Sequence, residues 1–422
     1  MRGNRVGAAV IAAVIAAGQP TPAAAAAAPP PGACRDTEPA RPPVRELPWA
    51  QELLAPQRVW PHSTGAGVVV AVVDSGVDAD HPQLRGGRVL RGQDFFLVGD
   101  LPGAFDCGSH GTAVASIIAA APQEGIGFRG LAPGARVLPI RVTDRDGGRG
   151  AGIDPKVLAQ GIRYAADQGA DIINLSLSGT RDDKAVRDAV AYAQSKDVLI
   201  IAAVGNLQGE GSLPSYPAGY DGVIGVGAVD ISGARLESSQ IGPYVDIVAP
   251  GGGVLGATRV AGHTYWDGTS FAAPFVAATA ALVRSAWPDL PADQVARRLL
   301  ATAGPSRGGI GSLAYGAGTV NPYRAVTEGL VDSPPNVTAP VVIPRPDPGE
   351  LRAAERWAVT RSRSHAWTLV VLIGTAVALA AALTVPRGRR RRWAPGTTHL
   401  PAARPVRDEP PEQLFLLDPP GR

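Results

Sequence analysis

The stretch Val68-Val-Val-Ala-Val-Val-Asp74 decides the fold. Six consecutive apolar residues are too few for a buried helix. They also lack the alternation of a strand with one wet face, so they read as a strand buried on both sides. Runs of the same kind return at Val137–Val142, Ile172–Leu177, Val198–Val204 and Val223–Val229. Helical stretches lie between and after them. His110–Ala121 is rich in Ala and Ile, and Pro155–Gln168 carries Val157, Leu158, Ile162 and Ala165 at helical spacing. Asp182–Ser195 is a further helix, and Ser270–Arg284 a long apolar one. Repeated strand–helix–strand alternation predicts an α/β class with a doubly wound, mainly parallel sheet flanked by helices. Reactive groups in such sheets gather beyond the carboxyl ends of the strands. Asp74 and Asn206 stand at two such ends, and helices open at His110 and Ser270.

The chain has 422 residues, 45% hydrophobic and 18% charged, too apolar for a disordered chain. Its net charge of +3 is a property of its ends. Residues 29–365 carry a net −3, while Arg2, Arg5 and a run at Arg387 and Arg389–Arg392 supply the basic excess. That balance argues against a basic nucleic-acid face on the main domain. Two cysteines exclude a cysteine-framework fold and a Cys-rich metal site.

Arg2 and Arg5, the apolar run Val6–Gly18 and the small residues Ala23–Ala28 follow the order of a secretory signal peptide over residues 1–28. A second apolar run, Ala366–Val385, is twenty residues long without a charge. At about 1.5 Å rise per residue it is long enough to cross a bilayer. Trp367 and Trp393 lie near its ends, where aromatic belts sit. An exported chain halted by one late span leaves residues 60–330 outside and the basic tail, 386–422, in the cytoplasm. Residues 29–59 form an N-terminal extension, and the Pro-rich stretch 331–365 is a linker. Export places Cys34 and Cys107 in an oxidising space, where they can pair. The alternative is two free thiols. The extension, in turn, is either a strap on the mature fold or a leader lost on maturation.

Serine attacks a carbonyl at neutral pH only with help. A histidine must take its proton, a carboxylate must orient that histidine, and donors must hold the developing oxyanion. The sequence offers one residue for each role. Asp74 lies in V-V-D-S-G-V-D, His110 in S-H-G-T-A-V-A, Asn206 in A-A-V-G-N and Ser270 in G-T-S-F-A-A-P-F-V-A. D-S-G and H-G-T are weak signals singly. G-T-S followed by F-A-A-P and a helix is far more specific, and the four together, in this order, more so.

On these motifs residues 60–328 resemble the subtilisin-like serine proteases. I-N-L-S-L-S-G at 173–179, Y-P-A at 216–218, V-D-I-V-A-P-G at 245–251 and G-A-G-T-V-N-P at 316–322 extend the likeness. The resemblance implies Asp74, His110 and Ser270 as a catalytic triad and Asn206 as the oxyanion side chain. It implies that Leu175, Ser176, Leu177, Ser178 and Gly179 form an edge that pairs with an extended peptide, and that Ser215 floors the P1 pocket. It also implies a cis bond at Tyr216–Pro217. The family usually has Gly where Ser178 stands, so a side chain there narrows the cleft. No acidic residue in these motifs supports a basic P1, which leaves a small or medium apolar P1 as the expectation.

The architecture as a whole resembles the mycosins, membrane-anchored subtilases of type VII secretion. It comprises a signal peptide, a short Cys-bearing extension, a catalytic block, a Pro-rich linker, one C-terminal transmembrane helix and a basic tail. Mycosins often carry further cysteines, and this chain has two. The resemblance implies a protein substrate exported by that system and its membrane complex as partner. The alternatives are a structural clamp of that complex with dispensable proteolysis, or an anchored subtilase with no link to type VII secretion. No metal or cofactor is expected. His62, His81, His263 and His365 read as surface or loop residues without metal-ligand spacing, and no acidic loop marks a calcium site.

Overall fold

A computed structural model describes residues 29, 32–34, 38–97, 100–144, 153–309, 311–330 and 389–390. The chain divides into two units, residues 1–332 and 333–422. The fold below is that of the first. The expected signal peptide, the 331–365 linker, the 366–385 span and most of the tail lie outside the described residues. Among the described residues no helix is long and apolar enough to cross a membrane.

Seven parallel strands form one sheet: β1 (Val69–Asp74), β2 (Gln93–Asp94), β3 (Arg136–Arg141), β4 (Ile172–Leu175), β5 (Leu199–Ala203), β6 (Val223–Val229) and β7 (Ile247–Pro250). Their order is β2-β3-β1-β4-β5-β6-β7, each pair parallel. The expected strands are all present, each within two residues of its predicted bounds. The continuous valines of β1 are explained by two cores. Val70 and Val72 pack into one, and Val69, Ala71 and Val73 into the other, on opposite faces of the sheet.

Helices α2 (His110–Ala119) and α5 (Thr269–Ala286) contribute to the first core, and α3 (Pro155–Asp167) and α4 (Lys184–Ser195) to the second. All ten residues of α2 are buried, so its Ala and Ile content reports a helix with no wet face. Helices α3 and α4 have one wet face and N-caps, Asp154 and Asp183, that accept from first-turn N–H groups. The strand order reverses at β1 and β4, so β1 and β4 border a topological switch point, where sites form in open α/β sheets.

Three pieces lie outside this frame. A two-stranded antiparallel ribbon joins β8 (Val254–Ala257) to β9 (His263–Trp266). Residues 316–320 run beside β7, the last strand of the sheet. Ala317 N–H donates to Asp246 O, Val248 N–H to Gly318 O and Val320 N–H to Val248 O. The N-terminal extension runs over the loops between these elements. Arg41 N–H donates to Ala261 O, His263 N–H to Pro42 O and Gly127 N–H to Arg45 O, before the short helix α1 (Trp49–Leu54). Cys34 is bonded to Cys107, with Cα atoms 5.4 Å apart.

One histidine departs from expectation: His263 opens β9 and is 4% exposed, whereas His81 lies in a loop, as expected, but is 1% exposed. The extension covers His263, and Val44 N–H donates to its Nδ1 at 3.2 Å. That leaves Nε2 to carry the proton, which it donates to Gln83 Oε1 at 2.6 Å. Gln83 N–H meets Nδ1 of His81, and His81 Nε2 faces Gly262 O at 3.3 Å. Both rings are thus satisfied neutral, which a histidine viewed alone in sequence cannot reveal. Burial pushes His263 down to about 4, with His81 adding to the effect, and pushes His81 below its ordinary value.

Candidate active site

Asp74 ends β1 and is fully buried. Its Oδ1 lies 2.7 Å from His110 Nδ1 and accepts the Ser75 N–H at 2.7 Å. Asp74 Oδ2 is buried and has no hydrogen-bond partner among the described residues, so the carboxylate acts through Oδ1. His110 opens α2, and two glycines allow it to come this close. At Gly111 a Cβ would fall 2.0 Å from Gly76 O and 3.2 Å from Asp74 Cβ. Gly76, at φ +97°, occupies a backbone region that L side chains rarely adopt, and a Cβ there would strike Phe105 O at 2.0 Å. D-S-G and H-G-T are therefore the two halves of one close contact between a strand end and a helix start.

Ser270 is the second residue of α5. Its N–H is one of the first-turn donors that a helix leaves without an internal acceptor. The hydroxyl donates to Ser176 O at 3.0 Å, and Ser176 Oγ donates back to Ser270 O at 2.6 Å. That return bond explains the proline of F-A-A-P. Pro274 stands four residues after Ser270 and has no N–H for the Ser270 carbonyl, which is left to the Ser176 hydroxyl. Asn174 Nδ2 holds Ser176 Oγ in turn, at 2.9 Å. His110 packs against the Phe271 ring, with centroids 5.1 Å apart, so the residue after the serine supports the imidazole.

Asn206 follows β5 and is exposed. Its Oδ1 accepts from Thr269 N–H at 3.0 Å and Thr269 Oγ1 at 3.2 Å. With the oxygen engaged, the amide NH2 remains the donor end. A Cβ at Gly268 would come 3.0 Å from Nδ2, so Gly268 leaves that nitrogen room. The arrangement brings together a carboxylate–imidazole pair, a hydroxyl at a helix N-terminus, and a side-chain amide beside the same helix start. These are the parts that acyl transfer needs.

The five expected edge residues continue from β4. Leu175, Ser176 and Leu177 are buried, and Ser178 and Gly179 are exposed. Gly179 exchanges two backbone hydrogen bonds with Tyr216, each 2.8 Å. A Cβ at Gly205 would fall 2.7 Å from Ser178 Oγ, which puts the Ser178 side chain beside the loop that carries Asn206. Ser215 is 2% exposed, and its hydroxyl has no partner among the described residues. The Tyr216–Pro217 bond is cis, as the Y-P-A motif led us to expect.

Sequence reading missed several residues around the pair. Ser75, Asp106 and Thr112 form a buried polar cluster behind it. Arg141, fully buried at the end of β3, donates through Nε to Ser75 O at 3.1 Å and through Nη1 to Asp94 Oδ2 at 3.0 Å, and also pairs with Asp144. A lone arginine inside an apolar strand was the signal available: a buried guanidinium must be paired.

The subtilase family profile matches residues 65–318. The chain belongs to the subtilase family, the subtilisin-like serine proteases. This subtilase is 33% identical to Mycosin-4 of Mycobacterium tuberculosis over 383 residues, covering 80% of this chain and 81% of that protein. It is 41% identical to the thermophilic serine proteinase of Bacillus sp. (strain AK1) over 228 residues, 54% of each chain, and so spans about half the length of that relative. Among solved structures, the MycP3 protease from the type VII (ESX-3) secretion system matches with a TM-score of 0.60 at 32% identity, covering 72% of this subtilase and 100% of that chain. MycP1 from Mycobacterium smegmatis matches with a TM-score of 0.60 at 31% identity, covering 72% and 92%. The subtilase thus resembles the mycosins over more of its length than the catalytic fold alone.

Proposed function

We propose that this subtilase is a membrane-anchored, extracytoplasmic serine endopeptidase with Asp74, His110 and Ser270 as its triad. The observation that carries the reading is the 2.7 Å contact between His110 Nδ1 and Asp74 Oδ1, with a serine on the first turn of the neighbouring helix α5. Asp74 holds the Nδ1–H tautomer, which leaves Nε2 as the base. The reaction begins when the Ser270 proton, directed at Ser176 O in the resting site, passes to Nε2. Oγ then bonds the scissile carbonyl carbon, and the carbonyl oxygen takes the negative charge. The Asn206 amide and the Ser270 N–H receive that charge near the positive end of α5. His110 returns the proton to the leaving amine, the C–N bond breaks, and an acyl-enzyme remains. Water repeats the sequence, with His110 again taking a proton and then giving it back to Ser270.

Residues 175–179 supply the edge for an extended peptide, whose main chain adds as a strand. Ser178 narrows that cleft, and Ser215 floors a P1 pocket suited to a small or medium apolar side chain. Similarity to Mycosin-4 and to MycP1 and MycP3 supports a place beside a type VII secretion complex, with an exported protein as substrate. The 366–385 span anchors the chain there. A serine-directed fluorophosphonate and a set of internally quenched peptides test the chemistry. Wild type should be labelled and should cleave, whereas Ser270→Ala should do neither, with turnover down by about 10⁶. Activity in the variant within tenfold of wild type would reject the assignment.

A further inference from the structure

Asp106 stands four residues before His110, next to the bridged Cys107, and the reaction above gives it no part. Its side chain is buried, and four donors converge on the carboxylate. Ser75 Oγ–H (3.1 Å) and Gly108 N–H (3.0 Å) reach Oδ1, while Thr112 N–H (2.9 Å) and Thr112 Oγ1–H (2.7 Å) reach Oδ2. Both hydroxyls also accept a backbone N–H elsewhere. Ser75 Oγ already accepts from Gly111 N–H at 3.0 Å, and Thr112 Oγ1 from Asp78 N–H at 3.0 Å, so each hydroxyl has its own proton to give Asp106. An ionised carboxylate offers about four acceptor sites, and here donors occupy all of them. A protonated Asp106 would bring a fifth donor into that ring.

The two ends of this cluster are the two halves of the catalytic couple. Ser75 directly follows Asp74 and donates its N–H to Asp74 Oδ1, while Gly111 and Thr112 directly follow His110. We propose that Asp106 is a positioning residue for the peptidase reaction: ionised, it clamps the turn after Asp74 to the first turn of the helix bearing His110, and so holds the imidazole against its carboxylate. The inference rests on the triad assigned above.

The clamp opens in mild acid. Burial, and to a lesser extent the charge of Asp74, raise Asp106 to about 6 against the hydrogen bonds from Thr112 and Gly108. The charged or titratable groups that face it are Asp74 on β1, His110 on α2, Arg141 on β3 and Arg259 in the loop before β9. Arg141 is committed to Ser75 O, Asp94 and Asp144, and Arg259 Nε donates to the Asp106 backbone carbonyl at 3.0 Å. Among the described residues no cation pairs with the Asp106 carboxylate. Below pH 6 a proton on Asp106 acts against turnover.

The test compares the full chain with its Asp106→Asn and Ser75→Ala variants on one internally quenched peptide, with active sites counted by burst titration. Asp106→Asn replaces an acceptor oxygen with a donor. It should lower kcat per titrated site by about tenfold or more at pH 7.5, with KM within threefold, as small misplacements of a catalytic group do. The acid limb of its kcat profile should lose the proton that Asp106 contributes near pH 6 in wild type. Ser75→Ala keeps the carboxylate and cuts the arm to β1. It should lower kcat with KM unchanged, and it decides the matter if Asp106→Asn does not fold. A kcat per site within twofold of wild type in the folded variants, or an unaltered acid limb, overturns the clamp alone. A wild-type chain that cleaves no peptide overturns the peptidase reading and the clamp with it.

Discussion

Asn206 shows how much of the site one residue can carry and how little of it is visible in isolation. Its amide is oriented by the residue before Ser270, through Thr269 N–H and Oγ1, so in the proposed role its NH2 is aimed before substrate arrives. A donor fixed in advance costs no reorganisation when the oxyanion forms. Asn206→Ala should therefore lower kcat by about 10²–10³ with little change in KM, measured as steady-state hydrolysis of a peptide substrate. A large rise in KM at constant kcat would assign Asn206 to ground-state binding instead. Asp74, His110, Asn206 and Ser270 could be singled out as candidates because each sits in a motif whose neighbours are themselves geometrically required, such as Gly76, Gly111, Gly268 and Pro274. Asp106 and Arg141 were not, because their roles depend on partners far away in sequence. Asp106 meets Ser75 across 31 positions, and Arg141 meets Asp94 across 47.

At the scale of elements, five of the seven sheet strands and four of the five helices of ten or more residues among the described residues could be read from period and composition. β2 is two residues long, and the β8–β9 ribbon gains its order from pairing, so neither has a local pattern to read. The N-terminal extension was open between strap and leader. Its backbone bonds to Ala261, His263 and Gly127, and its bridge at Cys107, support the strap. Closing a loop of 73 residues stabilises by about 4 kcal/mol in the chain-entropy model. Cys34→Ser should thus lower the thermal midpoint by several degrees while small-peptide turnover stays near wild type. Several-fold activation on removing residues 29–48, at an unchanged midpoint, would identify an inhibitory leader instead. The same strap carries a pH dependence. His263 is held neutral, with its folded value near 4 below its unfolded value near 6.5. The unfolded chain therefore binds the extra proton first, and stability falls as pH drops from about 6.5 to 4, by at most about 3 kcal/mol. His263→Gln should flatten the loss of thermal midpoint across that window. A variant as acid-sensitive as wild type would remove His263 from the account.

For the whole molecule, the proposed topology puts residues 60–330 outside, a single crossing at 366–385 and residues 386–422 inside. External protease added to intact cells should cut within 331–365 and release the catalytic unit, leaving a C-terminal epitope protected. Digestion of that epitope from outside would reverse the orientation. Mild acid should affect the catalytic unit in two separable ways. His263 lowers stability through its unfolded-state proton, whereas Asp106, with its value raised, binds the proton more tightly when folded. Protonation of Asp106 thus favours the fold from pH 6 downward while it weakens the clamp. Loss of turnover near pH 6 should accordingly precede loss of structure, and a rate assay and a melting curve recorded on the same samples would separate the two.

The segment 316–320 that runs along β7 has a consequence for the chain as it is made. Until residue 320 is available, Ile247–Pro250 pairs with β6 alone and leaves the outer edge of a wholly apolar strand open at the margin of the sheet. Such margins recruit other chains. A polypeptide delivered amino end first must keep this surface from its neighbours until residues 316–320 arrive. The segment that covers it thus gives the last part of the catalytic unit a protective as well as a structural task.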